Sequence, residues 1–324
     1  MYLKSILWYN TVTKDEDKMK VIALKLYLLI SLNVVAFAGQ GFILPIPQKL
    51  EIDNAKSKLG EKLFFDTTLS KDKTLSCFSC HNIMTNGADD KKIAVGIEEK
   101  KGIVNTPTLF NAVFNFRQNW DGSARTIADQ ASGPITNPVE MGHNFADLIN
   151  ELNKTPYKEE FKLIYKDGIT QKNIVDAIAE FEKKLITPNA PFDKYLMGDE
   201  NAITQEQKEG YRLFKSKGCI SCHNGVNVGG QLYSRFGMVK LIDDSNFGLY
   251  NVTKEEEDKY YFKVPSLRNI ALTSPYFHNG SVETLYEAVS VMLKYQVGRD
   301  TNPQEINKIV EFLKSLNGEV NYAK

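Results

Sequence analysis

The chain has 324 residues, 42% of them hydrophobic, and its 40 basic and 40 acidic side chains cancel to a formal net charge of zero. That length accommodates about two domains. With no long block of one sign, the composition excludes the basic footprint of a nucleic-acid binder and gives no sign of a polyanionic partner. In chain order, the first segment is an export signal. From Met19 the sequence reads MKVIALKLYLLISLNVVAFAGQ, a basic start, an apolar run from Leu26 to Phe37, and Ala36-Phe37-Ala38 as a small-residue cleavage site. Residues 1–18 are polar and unlike such a start, so Met19 is a candidate first residue and 1–38 the segment removed. Lys25, Ser31 and Asn33 interrupt the apolar run, which argues against a retained membrane anchor.

All four cysteines fall in two copies of one pentapeptide, CFSCH at 77–81 and CISCH at 219–223. Cys-x-x-Cys-His is the attachment site of c-type haem: the thiols add to the vinyl groups and the histidine binds iron from one side. A redox dithiol or a zinc site does not account for two complete copies behind an export signal. Cys77, Cys80 and His81 therefore hold one haem c, and Cys219, Cys222 and His223 a second.

The surroundings are helical and repeat. LGEKLFFD (59–66) precedes the first motif and EGYRLFKS (209–216) the second, each with a glycine, Gly60 or Gly210, ahead of Leu-Phe. TPTLFNAV and NWDGSARTIADQA follow the first; VPSLRNIAL and FHNGSVETLYEAV follow the second. Pro107 to Gly122 spans fifteen residues, as does Pro265 to Gly280. A helix is expected over Gln171–Leu185, with Ile174, Ile178, Phe181 and Leu185 on one face. Thr187 to Pro191 reads as a linker. Thr204 with Gln207 opens a helix that runs into the second motif. Asn302-Pro303-Gln304-Glu305 opens the last helix, which Gly318 can end. No alternating stretch is long enough for a substantial sheet. The expected fold is all-α, with two cytochrome c-like domains at 39–190 and 191–324.

Iron has two axial positions, and the second decides the chemistry. Two protein ligands make an electron carrier; an open position makes a reaction site. Twelve residues after Gly280 stands Met292, a ligand type that raises the reduction potential. Twelve residues after Gly122 stands Pro134, which cannot bind iron. The repeat thus predicts unequal haems, His223/Met292 against His81 with no methionine.

At this level of detail the chain resembles the bacterial di-haem cytochrome c peroxidases. The motifs that carry the resemblance are the two CxxCH pentapeptides, NTPTLFNAVFN, QNWDGSA, NPVEMG, ITPNAPFDKYL, CHNGVNVGGQ and LRNIALTSPYFHNG, spread from about Leu50 to Leu316. The resemblance implies an all-helical periplasmic enzyme, usually a homodimer. Its substrate is hydrogen peroxide and its donor a small cytochrome c or a cupredoxin. It assigns His223 and Met292 to the high-potential haem and His81 to the peroxidatic haem. Trp120 falls between the haems, Glu140 is the distal carboxylate and Gln130 the distal glutamine. Asn105, Thr273 and Pro275 surround a calcium ion, a hard cation that takes oxygen ligands including main-chain carbonyls. A carboxylate over an open iron suits peroxide cleavage, because a proton must move between the two oxygens.

The sequence departs from the family in one loop. Many members carry a histidine there that caps the oxidised peroxidatic iron; here the position after Val95-Gly96 is Ile97, and the loop holds no histidine. Of the chain's four histidines, His81 and His223 are proximal and His278 matches a non-ligand position. Only His143, three residues after Glu140, is left as a substitute. The expectation is an iron that is open, or holds only water, without reductive activation. Two competing functions are a di-haem electron carrier, which has no use for Glu140, and a related tryptophan-modifying oxidase. In the latter a tyrosine replaces the methionine ligand, with Tyr286 and Tyr295 as the nearby candidates.

Overall fold

Helices form where capping residues and apolar periodicity coincide. The computed structural model describes residues 42–243, 245–300 and 302–320, so the export segment lies outside the described residues. The principal helices are α1 (Asn54–Phe65), α2 (Ile127–Thr136), α3 (Phe145–Leu152), α4 (Tyr157–Ile164), α5 (Gln171–Glu182), α6 (Pro191–Leu196), α7 (Gln205–Ser216), α8 (Leu285–Val291) and α9 (Pro303–Lys314). Asp53 caps α1, Thr170 caps α5, Thr204 and Gln207 close a reciprocal box on α7, and Asn302 caps α9. The only paired strands among the described residues are β1 (Tyr233–Arg235) and β2 (Tyr261–Lys263), antiparallel with Tyr233 opposite Lys263. The all-α expectation holds.

The two halves repeat one packing device. α1 crosses α5 at Gly60, where a Cβ would stand 1.8 Å from the Ala177 carbonyl oxygen. α7 crosses α9 at Gly210, where a Cβ would stand 1.9 Å from the Lys308 carbonyl oxygen. Only glycine allows backbones that close. Around the first crossing, Leu59, Leu63, Ile135, Leu148, Phe161, Ile174 and Ile178 form a buried core. Around the second, Phe312 meets Phe192 edge-on at 5.0 Å and Phe214 at 5.1 Å.

Three expected boundaries differ. α5 ends at Glu182 rather than Leu185, because Lys184 and Leu185 tighten the last turn by bonding Phe181 and Glu182 carbonyls. α7 stops at Ser216, and Gly218, at φ 97°, separates it from Cys219. Gly318 does not cap α9, which ends at Lys314; a Cβ at Gly318 would stand 1.9 Å from the Thr187 carbonyl oxygen, so it serves a close approach instead.

The stretch expected as a linker is a buried junction. Thr187 and Ala190 have no exposed surface. The Thr187 Oγ1 accepts from Asn111 Nδ2 and Asn269 Nδ2, both at 2.8 Å, while Thr187 N–H donates to Asn111 Oδ1 at 2.8 Å. Asn111 and Asn269 are repeat partners, at φ 62° and 60°, and each opens a 3-10 turn. Residues from Leu44 onward cluster as one unit.

Candidate haem centres

Each pentapeptide forms a single tight turn. Cys77–Cys80 is one helical turn whose Cys77 carbonyl accepts from His81 N–H at 2.9 Å; at Cys219 the equivalent bond from His223 N–H is 3.0 Å. The turn brings two thiols and an imidazole to one wall. His81 Nδ1 lies 3.1 Å from the Gly87 carbonyl, and His223 Nδ1 lies 3.3 Å from the Val228 carbonyl. A carbonyl only accepts, so Nδ1 carries the hydrogen and Nε2 keeps its lone pair for a metal. Burial lowers both imidazole pKa values, that of His223 to about 4, so both rings are neutral ligands at neutral pH. Burial also raises the thiols, Cys80 and Cys219 to about 11. These are apolar surroundings, not those of a reactive thiolate.

His81, Cys77 and Cys80 line a largely apolar cavity of about 420 Å³, within the range of cofactor sites. Trp120, Gln130, Pro134 and Glu140 line the same cavity. The donor set fits one thioether-linked haem: among the described lining residues His81 is the only imidazole and Met141 the only methionine. Cys219, Cys222, His223 and Met292 are not in this lining. Met292 stands where α8 gives way to a five-residue π-turn, Met292–Gln296. Such widened turns are frequent at functional positions. Its repeat counterpart Pro134 lies inside α2 and faces the cavity with no donor.

The Glu140 loop is pinned to the end of α2. Met141 N–H bonds the Pro134 carbonyl at 3.1 Å and His143 N–H bonds the Ile135 carbonyl at 2.8 Å. Glu140 Oε1 accepts from Asn137 Nδ2 at 2.7 Å. Burial raises the Glu140 pKa, and the Asn137 amide opposes that rise. The departing loop closes on it: Ile97 N–H bonds the Glu140 carbonyl at 2.8 Å, and the Ile97 side chain is buried against Gly142. Ala94, Val95 and Gly96 line the cavity; Ile97 does not. His143 is also absent from the lining. Its Nδ1 accepts from Asn144 N–H at 2.8 Å, and its Nε2 lies 3.8 Å from Glu151 Oε1. The one substitute histidine is thus engaged by Asn144 and does not line the cavity.

Trp120 is held from two sides. Its Nε1 donates to the Asn105 carbonyl at 2.8 Å, and its carbonyl accepts from Lys263 N–H at 2.9 Å. Asn105 N–H in turn bonds the His278 carbonyl at 2.8 Å. His278 is buried, stacked on Phe262 at 4.1 Å and bonded through Nε2 to Asp243 at 3.0 Å, a structural role consistent with a non-ligand. Thr273 and Pro275 do not line the cavity, whereas Asn105 does.

Sequence reasoning missed two lining residues, Glu182 and Lys263, 5% and 7% exposed. Burial raises the Glu182 carboxyl to about 8 and lowers the Lys263 ammonium to about 8. Neither side chain has a hydrogen-bond or ion-pair partner among the described residues. The sequence signal was slight, a charge directly after a core phenylalanine in FE and in YFK.

Comparison with known proteins agrees with this geometry. Residues 54–201 match the family described as di-haem cytochrome c peroxidase, and residues 207–317 match cytochrome c. Cytochrome c peroxidase Ccp of Escherichia coli is 50% identical over 281 residues, 85% of this chain; the chain spans 60% of that relative's length. Cytochrome c551 peroxidase of Nitrosomonas europaea is 43% identical over 303 residues, 90% of each chain. That of Pseudomonas aeruginosa is 44% identical over 291 residues, 85% of this chain and 84% of the relative. A crystal structure of a MauG-like protein associated with microbial copper homeostasis matches with a TM-score of 0.75 at 25% identity, over 86% of this chain and 95% of that one. With two haem c attachment sites and two relatives of nearly equal length at 43% and 44% identity, the chain belongs to the di-haem cytochrome c peroxidase family and is an enzyme of the cytochrome-c peroxidase class.

Proposed function

We propose that the protein reduces hydrogen peroxide to water in the periplasm, with electrons from a small cytochrome c or a cupredoxin. Electrons enter at the His223/Met292 haem and pass by Trp120 to the His81 haem, which is ready in the fully oxidised state. One observation carries this: Glu140, Gln130 and Trp120 share a cavity with His81, in which no described residue offers a second imidazole.

Bound haem supplies the iron at which peroxide meets the electrons. The chain supplies the rest. Peroxide takes up two electrons and two protons and leaves as two waters. Glu140 accepts the proton from one peroxide oxygen and returns it to the other, so that the departing oxygen leaves as water. Its raised pKa brings that exchange nearer to neutral pH. Gln130 orients the peroxide through its amide. Trp120, fixed at both its indole nitrogen and its carbonyl, gives electrons a rigid aromatic route.

Calcium at Asn105, Thr273 and Pro275 belongs to the same reading. In its support, Asn105 is buried, its Nδ2 donates to the Lys91 carbonyl at 2.8 Å, and no described donor reaches its Oδ1. A homodimer, removal of residues 1–38, and a division between the haem halves at 190/191 complete the proposal. No helix among the described residues is long and apolar enough to cross a membrane.

The test is peroxide turnover by purified holoprotein with a reduced small cytochrome c, begun fully oxidised and again after reducing one haem. Equal turnover without a lag is expected. Turnover only after pre-reduction would refute the ready iron. Inactivity in both states would replace the peroxidase by an electron carrier.

A further inference from the structure

Lys263 is the last residue of β2 and lines the His81 cavity, yet it is only 7% exposed and its ammonium makes no ion pair among the described residues. An ammonium is buried at high cost unless something negative meets it. The cavity-lining carboxyls Asp121, Glu140 and Glu182 make no ion pair with it, which leaves an anionic occupant of the cavity as its partner. Burial alone pulls the lysine pKa down to about 8; a carboxylate beside it would restore full charge.

Haem c brings two such carboxylates, and its covalent attachment says where they lie. The thioethers at Cys77 and Cys80 fix the vinyl edge of the macrocycle, and the propionates leave from the other edge. The charged neighbours of Cys77 include Glu182, and those of Cys80 are Asp89, Glu140 and Lys91. Lys263 reaches the same cavity from β2, far along the chain from the thiols. Its main-chain N–H bonds the Trp120 carbonyl at 2.9 Å, and Trp120 lines the same cavity.

We propose that Lys263 binds a propionate of the His81 haem and, through its main-chain bond to Trp120, sets that haem edge in register with the tryptophan. Lys263 lies within the second family match, residues 207–317, while the thiols and His81 lie within the first. A residue of one half thus completes the cofactor site of the other. The haem itself follows from family membership; the proposal concerns only what holds its propionate edge.

The experiment compares holoprotein with K263Q, K263R and K263M, all keeping both thioether-linked haems. Resonance Raman reads the propionate bending band, and spectroelectrochemical titration from pH 5 to 9 reads the midpoint potential of the high-spin haem. In K263Q the band should shift, the midpoint should fall, and its pH-dependent region should move up as the propionate loses its cation. K263R should restore all three towards the wild type. K263M keeps the stem volume with no charge to bury, so it reads the same loss if K263Q does not fold. An unshifted band with an unchanged potential–pH curve in either neutral variant would overturn the proposal.

Discussion

Replacing Glu182 by glutamine should flatten the pH dependence of stability. The carboxyl has an ordinary value of 4.5 and is raised to about 8 in the fold, with burial as the cause. The unfolded chain ionises first, so the native state holds the extra proton between those values. Stability from this group is therefore full below about pH 4.5 and declines as pH rises to about 8. At 1.36 kcal/mol per unit, integrating from pH 5 to pH 9 gives a decline of roughly 4 kcal/mol. Glutamine has the same shape and cannot ionise. Guanidinium unfolding of oxidised holoprotein at pH 5, 7 and 9, followed by far-ultraviolet circular dichroism, measures it. The E182Q-minus-wild-type difference should grow by about 4 kcal/mol across that range. Curves that stay parallel within about 1 kcal/mol would refute the reasoning and mean that the carboxyl finds a partner or water in the holoprotein.

Glu140→Gln should lower kcat by about 10²–10⁴-fold with both haem spectra unchanged, read by stopped-flow peroxide reduction. In the wild type, kcat/KM should fall as pH drops through the raised Glu140 pKa, since the ionised carboxylate is the proton acceptor. Met292→Leu should abolish the low-spin, high-potential signal of the second haem in a redox titration while leaving the first haem unaltered; a persisting signal would reject the ligand assignment. Gly60→Ala should destabilise by about 1–3 kcal/mol or more, because its methyl would meet the Ala177 carbonyl backbone, and thermal unfolding will show it.

Much of the site was legible because it is written in local spacing. A Cys-x-x-Cys-His turn needs no tertiary context, and Gly60 and Gly210 announced the same crossing twice. The expectation of unequal haems rests on one aligned pair, Pro134 against Met292, of which Pro134 lines the cavity. What escaped depends on distant partners. Thr187–Pro191 looked like a linker because Thr, Pro and Asn are turn formers, but Asn111 and Asn269 bury it. Gly318 looked like a cap because it follows a helix, while its real constraint is a backbone 131 residues upstream. Lys263 and Glu182 had no period to betray them; a buried charge is visible only when the walls around it are.

The Thr187 hydroxyl ties the repeats together in folding as well as in space. It accepts from two matching asparagines, Asn111 of its own half and Asn269 of the other, so the second half completes its turn on an oxygen of the first. A chain cut at 190/191 and separated would leave one buried amide, that of Asn269, 1% exposed, without this partner, so the turn of the second half is built to fold against the first.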